Sequence, residues 1–367
     1  MIDRRYINFF DFISLFLIII LSLVGLLFVY SATFRIDQPY SIYFKKQLFG
    51  CASGLLIYFI CCFIDFRTLQ RWAYFLYFLT IVLLIFTMIK GSVALGGQRW
   101  ISLGFFKFQP SEIAKLIFPG FFTYYLFTEK DSFDFSVEEF LPMLAMLGFS
   151  ALLILKQPDL GTAMIISLSG ILLFWMAGIG KKFFFWSSIF LLITAPVLYK
   201  CLKPYQKQRI AVFMGYGDSK KERYQIEQSV IAIGSGGLAG KGFLNGTQNK
   251  LQFLPESRTD FIFSVLCEEW GFLGAILIIF LYILLFIRLF YVVSTITNFF
   301  VQLLAIGLIL HIIISTMINI GMVIGLLPIV GIPLPFMSYG ISHLWITFAS
   351  LGWFNSISMR RFYISVR

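Results

Sequence analysis

QFLPESRTDFIFS, from Gln252 to Ser264, is the point at which a long, basic, glycine-rich segment gives way to an apolar run, and it sets one carboxylate, Asp260, at the boundary. A charge placed there is wet enough to ionise and close enough to hydrocarbon to meet a lipid-borne substrate. Ionisable residues beside a membrane interior are functional suspects by default. Thr259 and Asp260 are equally what a helix N-terminus takes, because a side-chain oxygen can accept from the first free amides and a negative charge suits the dipole. Position alone leaves both readings open.

Outward from this boundary the chain is apolar. Hydrophobic residues make up 59% of the 367 and charged residues 13%, with a mean hydropathy of +0.88, which excludes a soluble globular protein. Apolar runs long enough to cross about 30 Å of hydrocarbon begin near Phe10, Gln47, Trp72, Glu112, Phe140, Leu160, Phe183, Phe261, Phe299 and Ser338. The fold class that follows is an all-α polytopic membrane protein of about ten spans, a single membrane domain over 1–367, with one long extracytoplasmic loop, about 202–260, between spans seven and eight. The first run is followed by further spans and reads as a retained helix rather than a cleaved signal peptide.

Arg4, Arg5, Arg67, Arg71, Lys130, Lys181, Lys182, Arg288, Arg360 and Arg361 fall at the ends that a cytoplasmic N-terminus keeps inside, so both termini are expected in the cytoplasm. The long loop is basic too, with Lys203, Arg209, Lys241, Lys250 and Arg258 among others, but loops of that length cross largely regardless of charge. These anchors, with a basic outer loop facing an anionic ligand, account for the net charge of +11, and no nucleic acid is needed to explain it.

Five cysteines, Cys51, Cys61, Cys62, Cys201 and Cys267, lie in or beside apolar runs and read as small buried hydrophobes. His311 and His343 belong to different late spans without paired ligands, so no metal site is expected from them, and each is expected to bond a neighbouring helix. Within the loop, Ile226, Val230 and Ile233 fall at helical spacing, followed by glycines at 234, 236, 237, 240 and 242. A short interfacial helix and then a turn-rich segment follow. GSGGLAGK resembles a phosphate loop, but Ser235 replaces its first Gly and Gly242 its hydroxyl residue, and no strand precedes it. What remains is a choice between freed amides that cradle an anion beside Lys241 and Lys250 and glycines that only let a loop turn.

Other polar islands interrupt the apolar pattern. Pro110-Ser111-Glu112 opens the fourth span, with Lys115 one turn on from Glu112. The two either neutralise each other or form a charged cavity wall. KQPDLGT sets Asp159 at the outer surface between spans five and six. Ser264 and Glu268 follow Asp260 at i+4 and i+8, with Glu269 alongside, and Arg99 and Lys115 are the natural partners for carboxylates so deep in a span.

GGQRWISLG, QPSEIAKL, KQPDLGTA, KPYQKQRI, QSVIAIGSGGLAGKG, GTQNKLQFLPESRTDFIFSVLCEEWGFLGA and NIGMVIGLLPIVGIPLPFMSYG together resemble the SEDS family (RodA, FtsW, SpoVE), in the family's order from about Gly96 to Ser342. GKGFLNGTQ and PYQKQRI are most similar to the RodA branch. One departure stands out: where the family usually reads SYGGS, this chain has Ser338-Tyr339-Gly340-Ile341-Ser342, then His343.

The resemblance implies a peptidoglycan glycosyltransferase of the cytoplasmic (inner) membrane that polymerises lipid II on its outer face for cell elongation and shape. It also implies a class B penicillin-binding protein (transpeptidase) and other elongation-complex membrane proteins as partners. Asp260 matches the family's catalytic position, as general base in an inverting transfer from an undecaprenyl-diphosphate donor. Arg99, Lys115, Arg209 and Arg258 are candidates for the diphosphate, and Glu112, Asp159 and Glu268 complete the expected substrate-binding set. The cofactor is open, with a divalent cation such as Mg as one option. A lipid II flippase or other transporter is the alternative, and it would show broken helices in matching halves. Ser315, Gly321 and Gly325 make the ninth span the best-equipped surface for the partner's helix, docking near spans eight and nine, unless they pack the chain's own core.

Overall fold

The computed structural model describes residues 9–94, 97–102, 104, 106–129, 137–201, 204–213, 220–251 and 253–362. Arg4, Arg5, Gly96, Lys130, Lys203 and Gln252, named above, lie outside the described residues. Ten helices of 17 residues or more are present among those described: α1 Phe12–Thr33, α2 Ile42–Phe63, α3 Phe66–Lys90, α4 Pro110–Glu129, α5 Val137–Lys156, α6 Leu160–Met176, α7 Lys181–Cys201, then α11 Ile262–Ser294, α12 Phe299–Val323 and α13 Ile341–Arg360. Between α7 and α11 the long loop carries α8 Pro204–Phe213, α9 Lys220–Ser235 and the single turn α10 Thr247–Lys250. The chain is a multi-pass, helical membrane protein.

Six of the ten, α1, α2, α3, α5, α11 and α12, are long and apolar enough to cross a membrane on composition alone. The other four are marked by charge, polarity or length. Glu112 and Lys115 sit in α4, Lys181 and Lys182 open α7, α13 carries His343 and Asn355, and α6 has 17 residues. Two spans start earlier than hydropathy suggests: Ser41 accepts from the Phe44 amide and Asp65 from the Arg67 amide, and these caps begin α2 and α3 before the apolar runs do.

Helix α12 is the axis of the molecule. Of its apolar window 83% is buried, against 28–44% in the other five, and it packs on α4, α6, α11 and α13. The ninth span is therefore core, and the docking face expected on it is not available. Ser315 is fully buried and donates to the His311 carbonyl, Gly321 faces Leu327, and Gly325, just past the helix, faces Ile226 and Val230 of α9.

Two further features depart from the sequence reading. A small antiparallel sheet, β1 Ser92–Ala94, β2 Gly97–Ser102 and β3 Lys107–Phe108, fills the connection before α4, with Val93 opposite Gln98 and Ile101 opposite Phe108. Helix α11 is broken at Gly271 (φ 66°, ψ −161°). Its first part, up to Trp270, is almost wholly buried, and residues 272–294 alone, about 34 Å at 1.5 Å per residue, suffice to span.

The two ends of the bundle differ in chemistry. At one end the start of α1 meets the ends of α11 and α13: Arg288 pairs with Asp11 at 2.8 Å, and the Asp11 amide donates to Asn355. Arg360 lies 3.9 Å from Asp65 at this same end. The opposite end holds the sheet, the long loop and the residues singled out from the sequence.

Candidate active site

A cavity of about 590 Å³ opens at that opposite end, walled by the sheet, the N-terminal turns of α4, α6 and α13, helix α8, and the loops before α11 and α13. Five of the eight residues singled out from the sequence line it: Arg99, Glu112, Asp159, Arg209 and Asp260. Asp260 stands before α11 rather than in it. Helix α11 starts with no side-chain cap, so the carboxylate is not occupied in capping, and the reading left open above narrows accordingly. Its backbone is clamped from behind: Asn319 of α12 donates to the carbonyls of Asp260 (2.9 Å) and Ile332 (2.7 Å). The Tyr339 amide donates to the Arg258 carbonyl at 2.9 Å, and Ser338 donates to that of Thr259. Gln47 of α2 in turn donates to the Ser338 carbonyl. Helices α2 and α12 thus hold the loop that carries the carboxylate.

Asp260 is half-buried, and burial together with the nearby carboxylate of Glu256 pushes its pKa up to about 6, against the opposing pull of Arg209, Arg99 and Thr259. Glu256 was not picked out from the sequence. It lines the cavity, accepts from the Thr259 hydroxyl at 3.2 Å, and holds a left-handed backbone (φ 53°) unusual for a non-glycine residue. Four residues of separation alone do not reveal that it turns towards Asp260, because that facing depends on the irregular turn.

Asp159 is buried, not at the outer surface as expected. It caps α6 by accepting from the Thr162 amide, takes Arg99 at 3.2 Å and accepts from Gln109. Strand β2 is what delivers Arg99 to it. Glu112 and Lys115 pair at 2.7 Å, both buried, and His343 lies 3.2 Å from the same Glu112 oxygen. Glu112 faces the cavity, and Lys115 sits behind it rather than in the wall. Ile341, in place of the family's usual glycine, packs against α2 where Gly50 leaves room.

Two candidates lie elsewhere. The Arg258 guanidinium stacks 4.0 Å from the Tyr43 ring centre, and the residue is not among those lining the cavity. Glu268 is also outside it, and its partners are not Arg99 or Lys115. Its Oε1 accepts from Lys241 Nζ (2.6 Å), the Thr247 amide (2.8 Å) and hydroxyl (2.9 Å), and the Gln248 amide (3.1 Å). Glu269 accepts from Ser31 of α1 and from the Leu244 amide. The glycine-rich loop does cradle an anion with its amides, but the anion is the chain's own. Gly240 (φ +78°) makes this approach possible, since a Cβ there would sit 2.1 Å from the Glu269 carbonyl oxygen. The expected stripe of Asp260, Ser264 and Glu268 therefore divides among three tasks, Ser264 being buried against Ser229 at 2.8 Å.

Residues 12–363 match the sequence model of the FtsW, RodA and SpoVE family, described as cell cycle protein. The chain is 38% identical over 319 residues to the peptidoglycan glycosyltransferase MrdB of Escherichia coli K12, covering 86% of each chain. It is 33% identical over 356 residues to the stage V sporulation protein E of Bacillus subtilis, covering 95% of this chain and 96% of that one. Among solved structures, a chain from a peptidoglycan synthase complex, described for its coordination of polymerization and crosslinking, superposes with a TM-score of 0.81 at 28% identity over 97% of this chain and 99% of that one. The rod shape determining protein RodA of Thermus thermophilus does so at 0.71 and 26%, over 96% and 98%.

Proposed function

The chain belongs to the FtsW, RodA and SpoVE family, the SEDS proteins, and from that premise we propose that it is a peptidoglycan glycosyltransferase of the RodA branch, polymerising lipid II at the outer face of the cytoplasmic membrane with both termini in the cytoplasm. The observation that carries this reading is the pairing, in one cavity at a membrane boundary, of two arginines with a raised-pKa carboxylate that does not cap the helix after it. A carboxylate with a pKa of about 6 is ionised at neutral pH and basic enough to take a proton.

The chemistry follows from these groups. Asp260 removes the proton from the acceptor's GlcNAc 4-hydroxyl, that oxygen bonds to the donor's anomeric carbon from the face opposite the leaving group, and the undecaprenyl diphosphate departs with the bonding electron pair. Direct displacement inverts the anomeric centre. Arg99 and Arg209 stabilise the charge growing on the diphosphate, Arg99 being aimed by Asp159. Arg258, whose face is spent on Tyr43, fits an orienting role at the loop better than a phosphate contact. A divalent cation such as Mg takes one or two carboxylates plus substrate phosphates. Glu256 is the carboxylate suited to hold one, Glu112 and Asp159 being engaged by Lys115 and Arg99. Such an ion would add positive charge at the leaving group.

A transporter is the weaker reading, because the described helices carry one internal break, at Gly271, with no counterpart in the first half. A class B penicillin-binding protein is the proposed partner, alongside other elongation-complex membrane proteins. The test is purified protein, with and without that transpeptidase, given labelled lipid II: glycan strands are expected, and their absence from both arms overturns the reading.

A further inference from the structure

His343 occupies a position that the family resemblance leaves unexplained. It stands in the first turn of α13, is 6% exposed and lies in the wall of the cavity. Its Nδ1 is 3.2 Å from Glu112 Oε2, the oxygen that also takes Lys115 Nζ at 2.7 Å. An ammonium at that distance keeps the carboxylate ionised and acceptor-only, so the proton of the ring belongs on Nδ1, a tautomer assigned by the network. Nε2 then carries a lone pair. It is buried and has no hydrogen-bond partner among the described residues. An unmet buried acceptor is costly and rare in folded proteins.

Charge decides what Nε2 can take. Lys115 already neutralises Glu112, so a protonated imidazole would leave the buried trio with a net positive charge. The neutral ring suits a neutral donor and offers nothing to a phosphate. His311 differs in placement rather than in satisfaction: it is 1% exposed, its Nε2 lies 3.4 Å from Ser350 Oγ and its Nδ1 is likewise unpartnered among the described residues, but it does not line the cavity and so has no ligand space to face. That histidine joins helices. His343 joins α13 to α4 through one nitrogen and keeps the other in hand at the cavity wall.

We propose that His343, oriented by Glu112, is a substrate-positioning residue whose Nε2 accepts a hydrogen bond from a hydroxyl or amide N–H of the sugar bound in the cavity. The proposal rests on the glycosyltransferase reading and deepens it: Arg99 and Arg209 read the diphosphate, and the Glu112–His343 pair reads the saccharide. Positioning of this kind acts on binding more than on turnover.

Three variants separate this from a purely structural staple. His343→Asn can keep a donor towards Glu112 and loses the distal acceptor. His343→Gln can place an amide oxygen near the position of Nε2, and His343→Phe keeps ring packing alone. Polymerisation of lipid II should show KM raised about tenfold in the Asn and Phe variants with kcat little changed, and largely restored in the Gln variant. Thermal midpoints in detergent should not follow this order. Binding of undecaprenyl diphosphate without sugar should be equal in wild type and His343→Asn. Unchanged KM in both the Asn and Phe variants overturns the proposal, as does an equal loss of binding to the sugar-free diphosphate, which would make the ring a phosphate ligand. A wild type that binds no lipid II and makes no glycan removes the glycosyltransferase reading and this proposal together, whereas an active wild type matched in KM by its Asn and Phe variants removes this proposal alone.

Discussion

Replacing Glu256 by Gln removes the like charge that helps raise Asp260, while burial and the two arginines stay in place. A general base works ionised, so wild-type activity should fall as pH drops through about 6, and the limb should move to lower pH in Glu256→Gln. The measurement is kcat/KM for lipid II across pH, and an unmoved limb would separate Glu256 from Asp260. The same raised pKa has a sign for stability. The folded state holds the proton more tightly than the unfolded chain, so stability falls as pH rises from about 4 through 6, and above that the full cost remains. Asp260→Asn should therefore unfold at a higher temperature than wild type at neutral pH, with the difference shrinking towards pH 4, as thermal midpoints in detergent will show. Glu112 and Lys115 give another residue-scale expectation. Because Glu112 holds His343 as well as Lys115, the double Gln variant should lose activity even though the net charge of the pair is unchanged, and full activity at matched expression would make the pair a mutual neutraliser only. Asp260 and the Glu112–Lys115 pair were legible because each breaks an apolar run at a helix start, whereas Glu256 and the buried state of Asp159 depend on a turn and a strand that hydropathy does not register.

At the scale of elements, the loop from Gly236 to Gln248 is latched to the break in α11. Glu268→Ala should cost on the order of 3 kcal/mol, because it leaves Lys241 and the amides of Thr247 and Gln248 without their acceptor. Its signature is a lower thermal midpoint with KM for lipid II unchanged in the folded fraction, while a raised KM at unchanged stability would return Glu268 to the substrate. Gly240→Ala should be worse than its chemistry suggests, since the backbone there is left-handed and the Cβ meets the Glu269 carbonyl. The ten long helices could be read from apolar runs, with starts misplaced where Ser41 and Asp65 cap ahead of them. The sheet could not be read. Its strands are two to six residues long and sit in a connection rather than in a repeating pattern, and the break in α11 at Gly271 follows Glu268 and Glu269 in a run that contains no proline or turn cluster to mark it.

For the whole molecule, the burial of α12 redirects the search for a partner. Helix α11 carries an outward apolar face, including Leu273, Leu277 and Ile283, and a single-helix anchor packing there would bind through shape rather than a hydrophobic drive. Leu277→Trp and Ile283→Trp should weaken co-purification with a class B penicillin-binding protein without lowering the thermal midpoint of the protein alone, and intact co-purification across both would clear this face. Everything else depends on the cavity being a polymerase site built around one carboxylate. The direct measurement is glycan synthesis from labelled lipid II by the purified protein in complex with its transpeptidase, wild type beside Asp260→Asn. Wild type should yield strands and the variant, folded and still in complex, none; strands from Asp260→Asn at a rate near that of wild type would contradict the account.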